Sequence, residues 1–403
     1  MKYNFPDDFI WGTSTSFFQI EDALHPSSFH DWKGLKGKDG TCLEHNIKHD
    51  HHITEDAALI ASLGNSYRMS MDWSRLQSEP GAQFSISAVQ HYRTLLGLLK
   101  DAGLHNMVVL HHFANPNWFS KLGGWLNPDS PALFCNYVKQ MIDHFGDLVD
   151  LWNTINEPYV YAFFSNITGY FPPYSSARMD KFRRSLSNLA SSHRAAYEMI
   201  KMHPVYSAAG AGFTKNATLF HPETIFSKPI TALLNSLFIH NVNKLFSVGD
   251  FVAINYYGRV PFTWHPILEI NSPGVLDKMG RQHDMVWEYF PQGLEDVLEL
   301  FYKKYARPLI ITEHGCCTLN DAFRKKSIFD HLDAINRASL KGVQVSGYYH
   351  WSTFDNYELH LGSTYPYGLI QIEPGTYKRI LKPSALYYQE IIRQSKLYVN
   401  CKV

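Results

Sequence analysis

The stretch LWNTINEP, residues 151–158, sets an apolar run, Leu151–Ile155, directly against an amide and a carboxylate, Asn156 and Glu157. The stretch PLIITEHG, residues 308–315, repeats the arrangement with Pro308–Thr312 and Glu313. Short apolar runs of this length, rich in β-branched residues, read as strands. Working outward, six more runs of the kind stand at Phe9–Thr13, Ser66–Ser70, Met107–His111, Tyr206–Gly212, Phe251–Asn255 and Val345–His350. Between several of them lie periodic apolar stretches of helical length, clearest at Ile53–Leu63, Ala88–Ala102, Ala132–Phe145, Leu186–Met202, Gln292–Tyr305 and Ile328–Leu340. No low-complexity segment, charge block or Gly/Ser linker divides the chain. Eight strands alternating with helices predict an α/β fold, a single (β/α)8 TIM barrel over residues 1–403 with a short tail from about 395. Such barrels carry their chemistry at the C-terminal ends of the strands.

Composition narrows the function. With 37 Lys+Arg against 37 Asp+Glu the formal charge is zero, which argues against nucleic-acid and polybasic membrane partners, both of which need a basic surplus. No apolar run approaches the roughly 20 residues of a membrane span, and MKYNFPDDFIWG has no apolar signal core. The five cysteines are scattered, and Cys316 and Cys317 are adjacent, too close for the usual disulfide span. That pattern fits a reducing, cytoplasmic location. Asn166 and Asn216 open glycosylation sequons, which this location makes chance matches. The 21 histidines raise a metal hypothesis, and His45, His49, His51 and His52 form the one cluster. It lies ahead of the second strand, away from the strand ends, so no metal and no cofactor is expected. GAGFTK, residues 210–215, is neither a dinucleotide fingerprint nor a P-loop.

At the strand ends stand Gln19, Arg68, His111 with His112, Asn156 with Glu157, Asn255 with Tyr256 and Tyr257, Glu313, and Trp351 followed by Glu358. A ring of amide, imidazole, carboxylate and indole groups suits a polyhydroxylated substrate, whose hydroxyls donate and accept and whose apolar face needs an aromatic platform. Glu157 and Glu313, on strands nearly opposite in an eight-stranded barrel, form the pair of carboxylates that glycoside hydrolysis requires. Each alone could equally be a salt-bridge partner at a strand end.

Seven collinear motifs carry a resemblance over nearly the whole chain. They are FPDDFIWGTSTSFFQIED (5–22), YRMSMDWSR (67–75), HHFANPNWF (111–119), TINEP (154–158), DFVAINYYG (250–258), ITEHG (311–315) and GYYHWSTFDNYELHLG (347–362). Together they resemble the family 1 glycoside hydrolases, the β-glucosidase and β-galactosidase family. The resemblance implies a retaining β-glycosidase that works by double displacement through a covalent glycosyl-enzyme intermediate. It makes Glu157 the general acid/base and Glu313 the nucleophile, with Arg68 and Tyr257 beside Glu313 favouring its charged form. Asn156 would bond the sugar 2-hydroxyl, Gln19, His112 and Glu358 would grip other hydroxyls, Trp351 would lie beneath the ring, and Asn255 would support the site. The partner is then a small-molecule β-glycoside or oligosaccharide: a β-glucoside first, with β-galactosides and β-fucosides as alternatives. The oligomeric state is left open.

The chain also departs from the pattern. Leu359 stands where the family has a tryptophan, removing an indole donor to the sugar at a cost of roughly 1–3 kcal/mol. His314 replaces the usual asparagine beside the nucleophile. Pro366, in GSTYPYGL (362–369), stands where arginine is common, and Glu358 would repel a 6-phosphate, which points to an unphosphorylated substrate. The chain is short around Phe220–Asp250, where loops shape the aglycone entrance. Trp264 and Trp287 are candidates for that groove, although rim or core packing is the simpler reading. These departures motivate a second reading, a catalytically weak or silent sugar-binding relative, against which the retention of both Glu157 and Glu313 speaks.

Overall fold

The computed structural model describes residues 5–22, 37–42, 46–236, 245–262 and 273–400. Its centre is built from eight strands: β1 (Ile10–Ser14), β2 (Ser66–Ser70), β3 (His105–His111), β4 (Leu151–Asn156), β5 (Gly210–Asn216), β6 (Val252–Asn255), β7 (Leu309–His314) and β8 (Val345–Trp351). All pair in parallel in sequence order, and β1 pairs with β8 to close the barrel. Helices connect the strands and pack outside, as parallel pairing demands. The strands are apolar on both sides for this reason. Met107, Phe251, Ala253, Ile310 and Tyr349 fill the barrel interior, while Val108, Ile155, Ile254, Leu309 and Ile311 face outward into the main core against the helices.

The fifth strand lies four residues later than its sequence suggests. Residues 204–208 form a turn, with Tyr206 stacked on His203 at 4.9 Å. The strand takes up Gly210 and Gly212, because a Cβ at Gly210 would come within 2.7 Å of the Leu151 side chain and one at Gly212 within 2.8 Å of the Phe251 ring. Neighbouring strands supply the side chains that these glycines lack.

The two strands whose C-terminal ends position Glu157 and Glu313 are both irregular. On β4 the pairing with β5 jumps from Asn153↔Gly212 to Asn156↔Thr214, an extra residue on β4. On β7 the pairing with β6 jumps from Ile254↔Ile311 to Asn255↔Glu313, an extra residue on β7. A bulge breaks the two-residue alternation and re-aims the side chains after it. Thr312 and Glu313 consequently both face the interior, where Thr312 donates to Asn255 Oδ1 at 2.8 Å and Glu313 meets Arg68.

Between β5 and β6 the described chain contains the short strand Phe220–Pro222, paired with Val260–Phe262, and the helix Lys228–Asn235. Phe220, Leu234 and Phe262 form a small separate core there. The final helix, Pro383–Asn400, extends past residue 395, where the sequence suggested that a tail begins. Among the described residues no helix is long and apolar enough to cross a membrane.

Candidate active site

The C-terminal ends of the strands open into a cavity of about 490 Å³ whose floor carries Gln19, His112, Glu157, Tyr257, Glu313, Trp351 and Glu358. Glu157 sits where β4 turns into the helix Pro158–Asn166, in the left-handed backbone region at φ 43°. Non-glycine residues adopt that conformation at a cost of order 1–3 kcal/mol, and it recurs at functional sites. Proline occupies the first helical position, where its missing N–H leaves nothing unsatisfied.

One buried guanidinium organises the floor. Arg68 Nη1 donates to Glu313 Oε1 at 2.7 Å and to Ser14 Oγ at 2.9 Å, and its Nη2 donates to Asn156 Oδ1 at 2.7 Å. Tyr257 donates its phenol to Glu313 Oε2 at 2.8 Å. Both oxygens of Glu313 thus accept strong bonds, and His112 Nε2 lies 3.9 Å from Oε1. Glu157 is held differently, by two neutral amides on one oxygen: Asn255 Nδ2 at 2.9 Å and Asn216 Nδ2 at 3.1 Å. Asn255 also donates to Asn156 Oδ1 at 3.2 Å. The Asn156 amide nitrogen has no partner among the described residues, nor has His112 Nδ1.

These surroundings separate the protonation states. Burial, and then the charge of Glu313, push the Glu157 carboxyl up to about 7, while the Asn255 and Asn216 bonds pull the other way. Burial and Glu313 push Glu358 up to about 8, against bonds from Gln19 and Trp351. Burial, helped by Arg68 and His111, holds His112 well below the usual histidine range, so its ring is neutral. Burial and the charge of Glu313 keep the Tyr257 phenol protonated. One cavity therefore presents an ion-paired carboxylate and a proton-bearing carboxyl, the combination that acid-assisted displacement at a sugar carbon needs.

Gln19 Nε2 spans to Glu358 Oε2 at 3.1 Å and to the Tyr357 carbonyl at 2.9 Å, and the Trp351 ring lies 6.0 Å, centre to centre, from that of His112. Arg68 and Asn255 stand behind the floor and act on it through the bonds given above, as does Asn156 Oδ1, while the Asn156 amide nitrogen is left over to meet a ligand. Asn216 was not anticipated. Its signal was its place at the true end of β5, hidden by the displaced strand. Trp287 lines the cavity and stacks on Tyr257 at 5.9 Å, and Leu359 lines it too, with φ 43°.

Other candidates fall elsewhere. His111 faces away from the cavity, toward Asn115 and the Trp125 indole. His314 turns outward as well: its Nδ1 meets the Tyr348 hydroxyl at 2.8 Å and its ring packs 3.9 Å from His331. The histidine cluster does not converge. His49 bonds Asp56 at 2.7 Å, His51 approaches Asp22, and His52 bonds Glu55, while His45 and Trp264 lie outside the described residues. Glu21, Asp50 and His91 could together ligate a cation, but Arg75 Nη1 lies within hydrogen-bond distance of all three. Asn166 is buried with its amide on the Ala162 carbonyl, and Asn216 faces Glu157, so neither sequon presents a free side chain. GAGFTK is the body of β5.

The sequence profile of Glycosyl hydrolase family 1 matches residues 1–263 and 235–397, which together span nearly the whole chain. The chain belongs to that family. Among its relatives, beta-glucosidase A of Acetivibrio thermocellus is 27% identical, with 98% of this chain and 99% of the relative covered. The beta-galactosidase of Pyrococcus woesei is 25% identical over 96% of this family 1 chain and 97% of its own. A solved beta-glycosidase from Pyrococcus horikoshii superposes with a TM-score of 0.85 at 30% identity, covering 98% of this chain and 96% of that one.

Proposed function

We propose that this family 1 protein is a retaining β-glycosidase for unphosphorylated β-glycosides, β-glucosides first. Glu313 attacks the anomeric carbon while Glu157 protonates the leaving oxygen. Glu157 then takes a proton from the water that releases the sugar from Glu313. The observation that carries this reading is the unlike pair in one cavity: Glu313 held by Arg68 and Tyr257, and Glu157 raised to about 7 by burial and Glu313. Asn156, whose amide nitrogen has no partner among the described residues, donates to the 2-hydroxyl. Gln19, His112 and Glu358 hold other hydroxyls above Trp351, and no cofactor enters the steps.

A 6-phosphate would bring further negative charge beside Glu313 and Glu358, and Arg68 is already committed to Glu313 and Asn156. Above the carboxylates the described walls are largely apolar, including Val160, Phe163, Phe164, Phe171 and Leu359. They favour leaving groups with apolar surface over a second sugar, whose hydroxyls would lose their water without replacement. β-Galactosides and β-fucosides remain alternatives within the same mechanism. Cys42, Cys135, Cys316 and Cys317 are free thiols, which supports a cytoplasmic location.

A panel of nitrophenyl β-glycosides tests the reading. Wild type turns over at least the glucoside with retained configuration, and Glu313→Ala lowers kcat on the order of 10⁴-fold or more, with partial rescue by azide or formate. Absence of turnover on every member, with sugar binding intact, would replace it with the silent sugar-binding relative.

A further inference from the structure

A carboxylate that the proposed chemistry does not use sits behind the wall of the cavity. Asp284 opens a tight loop, residues 284–288, that leads into the helix Pro291–Tyr305. Its Oδ1 accepts the backbone N–H groups of Val286 and Trp287, each at 2.6 Å, and its Oδ2 accepts the N–H of Cys317 at 2.8 Å. The Met285 N–H adds a bond to the Cys317 carbonyl at 2.9 Å. One side chain thereby ties the loop to the segment that leaves β7 just past Glu313. At its other end the loop is held by Glu288, which Arg259 grips through two bonds at 2.9 and 3.0 Å.

The clamp holds Trp287, stacked at 18° on the ring of Tyr257, and Tyr257 is the phenol on Glu313 Oε2. Gly258 allows the close approach, since a Cβ there would meet the Glu288 carbonyl at 2.5 Å. The half-buried Tyr257 ring has Trp287 on one face and Tyr367 edge-on at 6.0 Å. Without the loop it would lose the surface that sets its tilt. We infer that Asp284 is a positioning residue for the nucleophile, acting through Trp287 to hold the Tyr257 hydroxyl on Glu313. This inference rests on the proposed role of Glu313.

The direction of the pH shift separates a clamp from a through-space charge. The groups facing Glu313 are Arg68 from β2, His112 from β3, Glu157 from β4, Tyr257 after β6 and Glu358 after β8. Asp284 itself faces Cys316, Cys317, Tyr367 and His283. In Asp284→Asn the amide can accept on one side only, and its NH₂ opposes a backbone N–H on the other, so the clamp opens. Loss of the Tyr257 bond removes support from charged Glu313, and the acidic limb of the kcat/KM profile moves upward. Burial pushes Asp284 itself up to about 6, and wherever it is ionised the loss of its charge through space alone would move that limb downward.

The test measures kcat/KM against pH for wild type, Asp284→Asn, Tyr257→Phe and the double variant on the nitrophenyl glycoside that wild type turns over best. Each single variant is expected to raise the acidic limb by about half a pH unit or more, with no further shift in the double variant. Trp287→Leu, which cuts the same path without touching the clamp, gives the same shift and decides the matter where Asp284→Asn fails to fold. An unmoved or lowered limb in an active Asp284→Asn, or full additivity with Tyr257→Phe, overturns the inference and leaves the glycosidase reading standing. A wild type inactive on every glycoside overturns both.

Discussion

Asn216→Ala isolates the control of the proton on Glu157. Asn216 and Asn255 both donate to Glu157 Oε1, but Asn255 is also tied to Thr312 and Asn156, whereas among the described residues the other side-chain bond of Asn216 is to the Thr218 N–H. A hydrogen bond to a charged group is worth about 1.5–3 kcal/mol net. Part of it survives when the carboxyl is neutral, which leaves a difference of about 1 kcal/mol between the two forms. At about 1.4 kcal/mol per unit, removing the donor raises the Glu157 titration by somewhat under one unit, from about 7 toward 8. The assay is kcat/KM against pH on a nitrophenyl β-glucoside, whose alkaline limb reports the acid of the free enzyme. At pH 8 the protonated fraction rises from about one tenth toward one half, so the variant outpaces wild type there by up to about fivefold. Below pH 6 the two differ little. The same change should slow release of the sugar from Glu313 only at acid pH, where Glu157 of the intermediate begins to take up a proton, so kcat on a dinitrophenyl glycoside falls there. An alkaline limb that stays in place or moves down would refute the assignment of Glu157 as the acid, or of Asn216 as its donor.

His314→Asn should leave kcat/KM within about twofold, because His314 bonds Tyr348 outside the cavity, while thermal unfolding reports a loss of about 1 kcal/mol. A large fall in kcat at unchanged stability would contradict that placement. Burial holds His111 and His331 at about 4 and His350 at about 3, below the roughly 6.5 of an unfolded chain. The unfolded state therefore binds more protons below pH 6.5, and stability is lost as pH falls, by about 2 kcal/mol per such histidine at pH 5. Calorimetry at pH 7 and 5 checks this, and an unchanged melting temperature counts against it. Alkyl β-glucosides should show kcat/KM rising with chain length, by up to about fourfold per methylene that the apolar wall buries. A flat series from butyl to octyl would mean that the wall does not contact the leaving group.

The barrel was legible because parallel strands covered by helices bury both faces, which leaves apolar runs such as MVVL (107–110) and PLII (308–311) unbroken. Strand β5 was misplaced because the same logic fails for glycine. Gly210 and Gly212 carry no strand signal of their own, and the reason they are there, the Leu151 and Phe251 side chains, lies on other strands. That displacement hid Asn216. The two glutamates were legible because each follows an apolar run, but the direction each takes was not. Bulges in β4 and β7 set it, and they leave no periodic trace. Strict alternation could not have told that His314 faces outward while its neighbours Thr312 and Glu313 both face in. Nor could one position predict that Arg68 serves β1, β4 and β7 at once, since that depends on closure.

The asymmetry between the carboxyls comes from that closure. Glu157, Glu313 and Glu358 share a cavity in which all three charges could not be held, and the guanidinium is bonded to only one of them. The ion pair therefore falls to Glu313, whose charge is the second cause, after burial, that keeps the proton on Glu157 and Glu358. In the proposed mechanism, attack by Glu313 converts it into a neutral ester. The repulsion on Glu157 then disappears while the Asn216 and Asn255 bonds persist, so the group that has just given up its proton becomes the stronger acid and stays ionised to act as a base. The reversal of role requires no movement of Glu157. It requires only that donors to Glu157 be neutral, because a cation there would have kept it ionised from the start and left the first step without an acid.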